Sequence, residues 1–295
     1  MKIPDRLRVQ IGQRAMIKKG YVDTGEGQVH YRYTAGGSGF PLVLFHVNAS
    51  SSEAYETLMQ ELDGKVPTFA IDMPNNGESF RTDHEPTMKY IGEVMLEVMS
   101  NLGAPRFHVI GSHTGASICL ELACTAPERV VSATLMGICP VTPEEGEAWI
   151  RDLVYKNTPT ERGSQLMNAW SRTLTQEKMY PAVAFPAETR HRECVSMLKA
   201  GENFGWAYVA VFTDDVLSKM EEVTRPIFFV IGEHDPIISL HMQIVEKYPQ
   251  YPSHIAPGFG TFYSEHAPED LAPRLLDFIR SSEAELKSTT KQRGE

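Results

Sequence analysis

The stretch VIGSHTGAS, residues 109–117, places one imidazole, His113, between two glycines, Gly111 and Gly115. It follows an apolar run and opens a helical pattern, so His113 falls where a strand turns sharply into a helix. A free imidazole has a pKa of about 6.5 and exchanges protons near neutral pH, which suits general acid/base work. Imidazole can also attack a carbonyl directly, but the acyl-imidazole formed is labile. A second stretch, IGEHDP (231–236), ends another apolar run with Asp235. That carboxylate would orient an imidazole that reached it, or cap a helix beginning near Pro236. A third, LFHVNASS (44–51), offers His46 and Asn48 at the end of a further run.

The elements that must position these residues alternate. Apolar runs at 28–34, 41–46, 68–72, 106–111, 130–137 and 227–232 read as buried strands. Between them, Tyr55, Leu58, Met59 and Leu62 mark one helix, with Ser50 and Glu53 spaced for a capping box. Ile91, Val94, Met95, Val98 and Leu102 mark a second, closed by Gly103. Ala116, Cys119, Leu120 and Ala123 mark a third, and Leu271, Leu275, Phe278 and Ile279 a last one whose first turn is expected near Pro273. This order predicts an α/β fold with a mostly parallel central sheet covered by helices on both faces. The alternation stops between 140 and 223, where helices and loops without strands predict an inserted helical cap over the sheet's C-terminal edge. The expected division is a core at 20–139 and 224–282, the cap at 140–223, an N-terminal extension at 1–19 and a polar tail at 283–295 fraying into solvent.

Composition narrows the function. With 38 acidic against 28 basic residues and no long basic block, nucleic acid is not an expected partner. No segment approaches 18 uninterrupted apolar residues and the first 21 lack a signal-peptide apolar region, so no membrane association is expected and a cytoplasmic location is. Four cysteines without CxxC spacing read as reduced thiols. There is no phosphate loop, zinc-ligand spacing or dinucleotide fingerprint, so neither cofactor nor metal is expected. A small molecule is the expected partner, and a homodimer is compatible with the sequence.

Four motifs in order resemble the α/β-hydrolase superfamily, specifically its capped subgroup of epoxide hydrolases, haloalkane dehalogenases, C–C hydrolases and esterases, across roughly residues 20–279. LFHVNASS is similar to the oxyanion loop, and AIDMPNNGES (70–79) to the D-x-P-x-x-G-x-S turn held by Asp72, Pro74, Gly77 and Ser79. GSHTG matches the nucleophile elbow, and IGEHDP the loop bearing the triad carboxylate, here Asp235. The resemblance implies that the N–H groups of Asn48 and Thr114 form an oxyanion hole.

The chain departs from that pattern twice. His113 holds the place of the nucleophile, so no serine, cysteine or aspartate ester can form there. Counting back seven residues from Pro268, where the family's catalytic histidine belongs, gives Thr261, leaving His266 and His234 as possible replacements. In the family the carboxylate meets that absent histidine, so Asp235 is left to pair with Thr261, His234, a substrate cation or, if the side chains approach, His113.

The expected function is an atypical enzyme acting on a small apolar carbonyl compound: an ester, a lactone or the C–C bond of a β-keto compound. His113 and Asp235 would be catalytic, and Asn48, Thr114 and Thr261 would bind the oxyanion or substrate. The alternative is a noncatalytic ligand-binding protein with a degenerate triad. The Asn48 amide is free in this reading to bind a carbonyl or hydroxyl oxygen. Trp149, Trp170, Phe185, Phe204, Trp206, Tyr208 and Phe212 divide between pocket lining and cap core. Arg190, His191 and Arg192 form a basic cluster, either solvated or set to receive a carboxylate.

Overall fold

The computed structural model describes residues 16–179 and 185–293. Eight strands form one sheet: β1 (Lys18–Thr24), β2 (Gly27–Thr34), β3 (Leu42–Phe45), β4 (Thr68–Ile71), β5 (Phe107–Ser112), β6 (Val130–Met136), β7 (Ile227–Gly232) and β8 (Ser253–Ala256). Their spatial order is β1-β2-β4-β3-β5-β6-β7-β8, with β1–β2 and β2–β4 antiparallel and every other pair parallel. Six of these strands correspond to the apolar runs. β1 and β8 do not, because both lie at sheet edges and bury few side chains.

Helices α1 (Glu56–Leu62), α2 (Met88–Asn101) and α3 (Thr114–Thr125) follow β3, β4 and β5. Helices α4 (Pro143–Leu153), α5 (Ser164–Met179), α6 (Ala187–Ala200), α7 (Trp206–Phe212) and α8 (Val216–Glu222) lie between β6 and β7. Helices α9 (Ile238–Lys247), α10 (Tyr263–His266) and α11 (Pro268–Arg293) complete the chain. Alternation along β3 explains the layering. Val43 and Phe45 join a core with α2 and α3, whereas Leu42 and Leu44 face α1 and α11. Each such fully buried side chain contributes roughly 1.5–3 kcal/mol.

Four local expectations are corrected. The Ser50–Glu53 capping box does not form. A 3-10 turn at Ser52–Tyr55 leads into α1, and its first N–H is served from afar, Ser52 donating to Asp72 Oδ1 at 2.7 Å. The last helix starts at Pro268 rather than near Pro273, which lies inside it. Pro268 already supplies the favoured N1 proline, and the buried Leu271, Leu275 and Ile279 outweigh the one backbone bond Pro273 cannot make. That helix also runs on to Arg293 instead of fraying after 282. Ser282 is buried, and Glu283 accepts from the Phe40 N–H at 3.2 Å, so the start of the polar tail is anchored. Similarly, β1 takes in Lys18 and Lys19, which the sequence places in the N-terminal extension; residues 1–15 lie outside the described residues.

The order β4-β3-β5 makes β3 the point where successive connections run to opposite sides of the sheet. Open α/β sheets bind ligands at such a switch point, beyond the C-terminal strand ends. The loop after β3 and the turn after β5 both lie there.

Candidate active site

His113 is the turn between β5 and α3, with φ +50° and ψ −107°. A non-glycine residue at positive φ is strained, and the neighbours show why the glycines flank it. A Cβ on Gly115 would stand 2.0 Å from the Phe45 carbonyl oxygen, and one on Gly111 would stand 2.2 Å from the Gly115 carbonyl. The backbone is anchored by His113 N–H donating to the Met136 carbonyl at 2.8 Å, and Ala116 N–H donating to the His113 carbonyl at 2.8 Å. The side chain remains 18% exposed, so the ring is held but reachable.

Its Nε2 lies 2.9 Å and 3.1 Å from the two carboxylate oxygens of Asp235. Of the partners the sequence left open for Asp235, the imidazole at the elbow itself is one that it meets. Asp235 follows β7 and His113 follows β5, so β6 stands between them. The residue that follows β6 at this level is Gly137. A Cβ there would lie 2.8 Å from His113 Cδ2 and 3.1 Å from Nε2, so the missing side chain opens the path across.

The carboxylate is buried. Burial pushes its pKa up, but the His113 imidazole and hydrogen bonds from His113, the Ile237 N–H and Thr261 more than offset this and hold it below the usual range. The Ile237 N–H donates to Asp235 Oδ1 at 3.0 Å, and the Ile238 N–H to the Asp235 carbonyl at 3.1 Å, so Asp235 also supports the start of α9. An anionic carboxylate only accepts, so the neutral imidazole carries its proton on Nε2 and leaves a lone pair on Nδ1. No hydrogen bond to Nδ1 occurs among the described residues.

A second imidazole backs the site. His241 on α9 is buried and its Nδ1 accepts the Ile138 N–H at 3.0 Å; burial pushes its pKa down to about 4. The sequence reading missed it because it lies in a helix with no motif around it.

The other candidates fall as follows. Thr114 is the first residue of α3 and is buried. Thr261, in the loop before α10, contacts Asp235. Asn48 is buried and its amide is half engaged: Nδ2 donates to the Phe204 carbonyl at 2.9 Å, because the segment before α7 packs onto this loop, while Oδ1 has no hydrogen-bond partner among the described residues. His46 is a fastener, with Nδ1 on the Val47 carbonyl at 2.8 Å and Nε2 accepting the Met73 N–H at 3.1 Å. Neither His266 nor His234 pairs with Asp235. His266 Nε2 lies 3.1 Å from Thr189 Oγ1, and His234 lies 3.8 Å from Glu233.

The basic cluster is divided. Arg192 is paired with Glu193 and Glu265, Arg190 lies over the rings of Trp170 and Phe185, and His191 is exposed. Among the aromatics, Phe204 and Phe212 are buried, Trp149 packs edge-on to Phe212, and Trp170 is 36% exposed.

Residues 41–259, about three quarters of the chain, match the model of the alpha/beta hydrolase fold family. The chain belongs to the α/β-hydrolase fold family. It is 24% identical over 267 residues to the carboxylesterase YbfK of Bacillus subtilis, spanning 88% of this chain and 86% of that one. It is 25% identical over 284 residues to a 2-hydroxy-6-oxononadienedioate/2-hydroxy-6-oxononatrienedioate hydrolase of Paraburkholderia phymatum, spanning 88% and 94%. Among solved structures it is similar to a putative lipase from Acinetobacter baumannii, with a TM-score of 0.75 at 15% identity over 92% of this chain and 94% of that one. The α/β-hydrolase architecture is thereby established for this chain. No helix of the described residues is long and apolar enough to cross a membrane.

Proposed function

We propose that this α/β-hydrolase-fold protein acts on a small, largely apolar carbonyl compound, with His113 as acid and base and without a covalent serine intermediate. The substrate class is an ester, a lactone or the C–C bond of a β-keto compound. The observation that carries this reading is the 2.9 Å contact between His113 Nε2 and Asp235. A triad places an imidazole between nucleophile and carboxylate. Here the imidazole takes the nucleophile's place and meets the carboxylate directly, leaving a two-member relay whose outer nitrogen is Nδ1.

On an ester or lactone, Nδ1 takes a proton from water as the water oxygen bonds to the carbonyl carbon. The carbonyl electrons move to oxygen, and collapse of that oxyanion expels the alkoxide, which recovers the proton from Nδ1. Asp235 keeps the ring oriented and stabilises the imidazolium between the two transfers. The N–H groups of Asn48 and Thr114 receive the oxyanion. Thr114 opens α3, so its N–H has no partner four residues back within the helix, and the helix dipole favours negative charge there. Each such donor is worth about 3 kcal/mol in the transition state. Thr261 steadies Asp235 and borders the substrate, and α4–α8 form the cap that excludes water. Relatives named as a carboxylesterase and as a hydrolase of 2-hydroxy-6-oxononadienedioate, itself an oxo compound, support a carbonyl substrate.

The test compares wild type with His113→Ala on p-nitrophenyl acetate, γ-butyrolactone and acetoacetate. Loss of a general base lowers turnover by roughly 10²–10⁴-fold. Equal turnover by the two proteins refutes the role of His113. Ligand binding by wild type with no turnover of any of the three points instead to a noncatalytic binder.

A further inference from the structure

The loop after β3 is fastened from two sides. Its ends belong to the core: His46 accepts the Met73 N–H, and the Ser52 N–H donates to Asp72. Its middle belongs to the α4–α8 segment. Asn48 Nδ2 donates to the Phe204 carbonyl at 2.9 Å, the Tyr208 hydroxyl donates to the Asn48 carbonyl at 3.2 Å, and Ala49 packs with Ala169, Cys194 and Phe204. The Ser50 hydroxyl donates to Glu193 Oε1 on α6 at 2.7 Å, with both residues buried.

Glu193 is in turn held by ions. Arg192 Nη2 and Nε reach its Oε1 at 2.7 and 3.0 Å, and Arg192 Nη1 reaches Glu265 Oε1 on α10 at 2.5 Å. Thr189, one turn earlier on α6, lies 3.2 Å from the same Glu265 oxygen. A buried carboxylate that loses its charge partner is strongly destabilising, so these contacts support one another. It joins α6, the loop bearing Asn48 and the helix that follows Thr261.

We infer that Glu193, held by Arg192, which Glu265 anchors in turn, is a positioning residue that sets the 48–50 loop through Ser50, so the oxyanion hole is complete only while α6 is seated on the core. The inference rests on the oxyanion role of Asn48 given above. It assigns to the α4–α8 segment a part in forming the site, beyond covering it. An unseated α6 releases the Ser50 hydroxyl and turns the Asn48 N–H away from the carbonyl oxygen it should receive. A displacement of about 1 Å at such a donor lowers turnover on the order of 10²-fold.

The test uses Ser50→Ala and Glu193→Ala, with Glu193→Gln as the conservative variant that keeps an acceptor for Ser50. Steady-state kinetics on the active compounds of the same panel are combined with hydrogen exchange of the 46–52 backbone in the full chain. The expected result for both alanine variants is a kcat lowered 10- to 100-fold with KM within threefold, restored at least tenfold in Glu193→Gln relative to Glu193→Ala. Exchange at 48–51 should rise about tenfold while β5 and β6 stay protected. Unchanged exchange at 48–51 in Ser50→Ala overturns the inference whether or not the protein turns over any compound. Faster exchange with unchanged kcat overturns it as well, because the loop would then move without consequence. Failure of the acid/base reading appears separately, as His113→Ala turning over like wild type.

Discussion

Replacing Asp235 by asparagine changes the charge of the dyad while keeping its shape. The variant retains an acceptor for the Ile237 N–H, now 3.0 Å from Oδ1, but loses the carboxylate that lies 2.9 Å from His113 Nε2. An asparagine can turn its NH2 toward Nε2, which must then accept. The ring proton moves to Nδ1 and the outward lone pair is lost. A hydrogen bond to a charged group is worth about 1.5–3 kcal/mol, and it matters most when the ring becomes imidazolium. Adding the wrong tautomer brings the loss to that of a whole general base, roughly 10²–10⁴-fold in kcat, or about 3–5 kcal/mol. KM should stay within threefold. The assay pairs turnover with ¹⁵N spectra of the His113 ring, expected to carry its proton on Nε2 in wild type and on Nδ1 in Asp235→Asn. Wild-type kcat together with an unmoved ring proton would refute the reasoning.

Gly137→Ala combines a φ of +70° with a Cβ placed 2.8 Å from His113 Cδ2, so it should lower stability by about 1–2 kcal/mol and turnover by at least tenfold, read by thermal melting and kinetics. An unaffected kcat would show that the ring does not depend on that gap. Gly115→Ala, with its Cβ 2.0 Å from the Phe45 oxygen, has no flexible neighbour to yield and should destabilise by about 3 kcal/mol or leave the protein insoluble. Urea titration against wild type checks this. His241 carries a pKa near 4 in the fold against 6.5 when unperturbed, so between those values the unfolded chain holds the extra proton. Stability should therefore fall as pH drops from 6.5 to 4, His241 contributing at most about 3 kcal/mol. His241→Asn keeps an acceptor for the Ile138 N–H and should flatten that slope; an identical slope contradicts the assignment.

The sheet and the elbow were legible in the sequence because buried strands and a strained turn write themselves as apolar runs and flanking glycines. β1 and β8 were not, since edge strands of alternating or short polar composition bury too little to stand out. The pairing of His113 with Asp235 was not legible for a different reason. The two residues end strands separated by β6, two strand spacings or about 10 Å apart, and no spacing along the chain reports whether side chains can cross that distance. The signal was present in Gly137, the small residue just after the strand between them. The engagement of the Asn48 amide nitrogen was not legible because its partner, the Phe204 carbonyl, is 156 positions away and belongs to a segment whose packing the sequence does not encode locally.

Chemical rescue tests the central claim most directly. Added imidazole should restore at least tenfold of the turnover lost in His113→Ala, saturably, and do nothing for wild type, because a small base can occupy the space the ring vacates beside Asp235. An alanine variant as active as wild type before any imidazole is added would contradict the account.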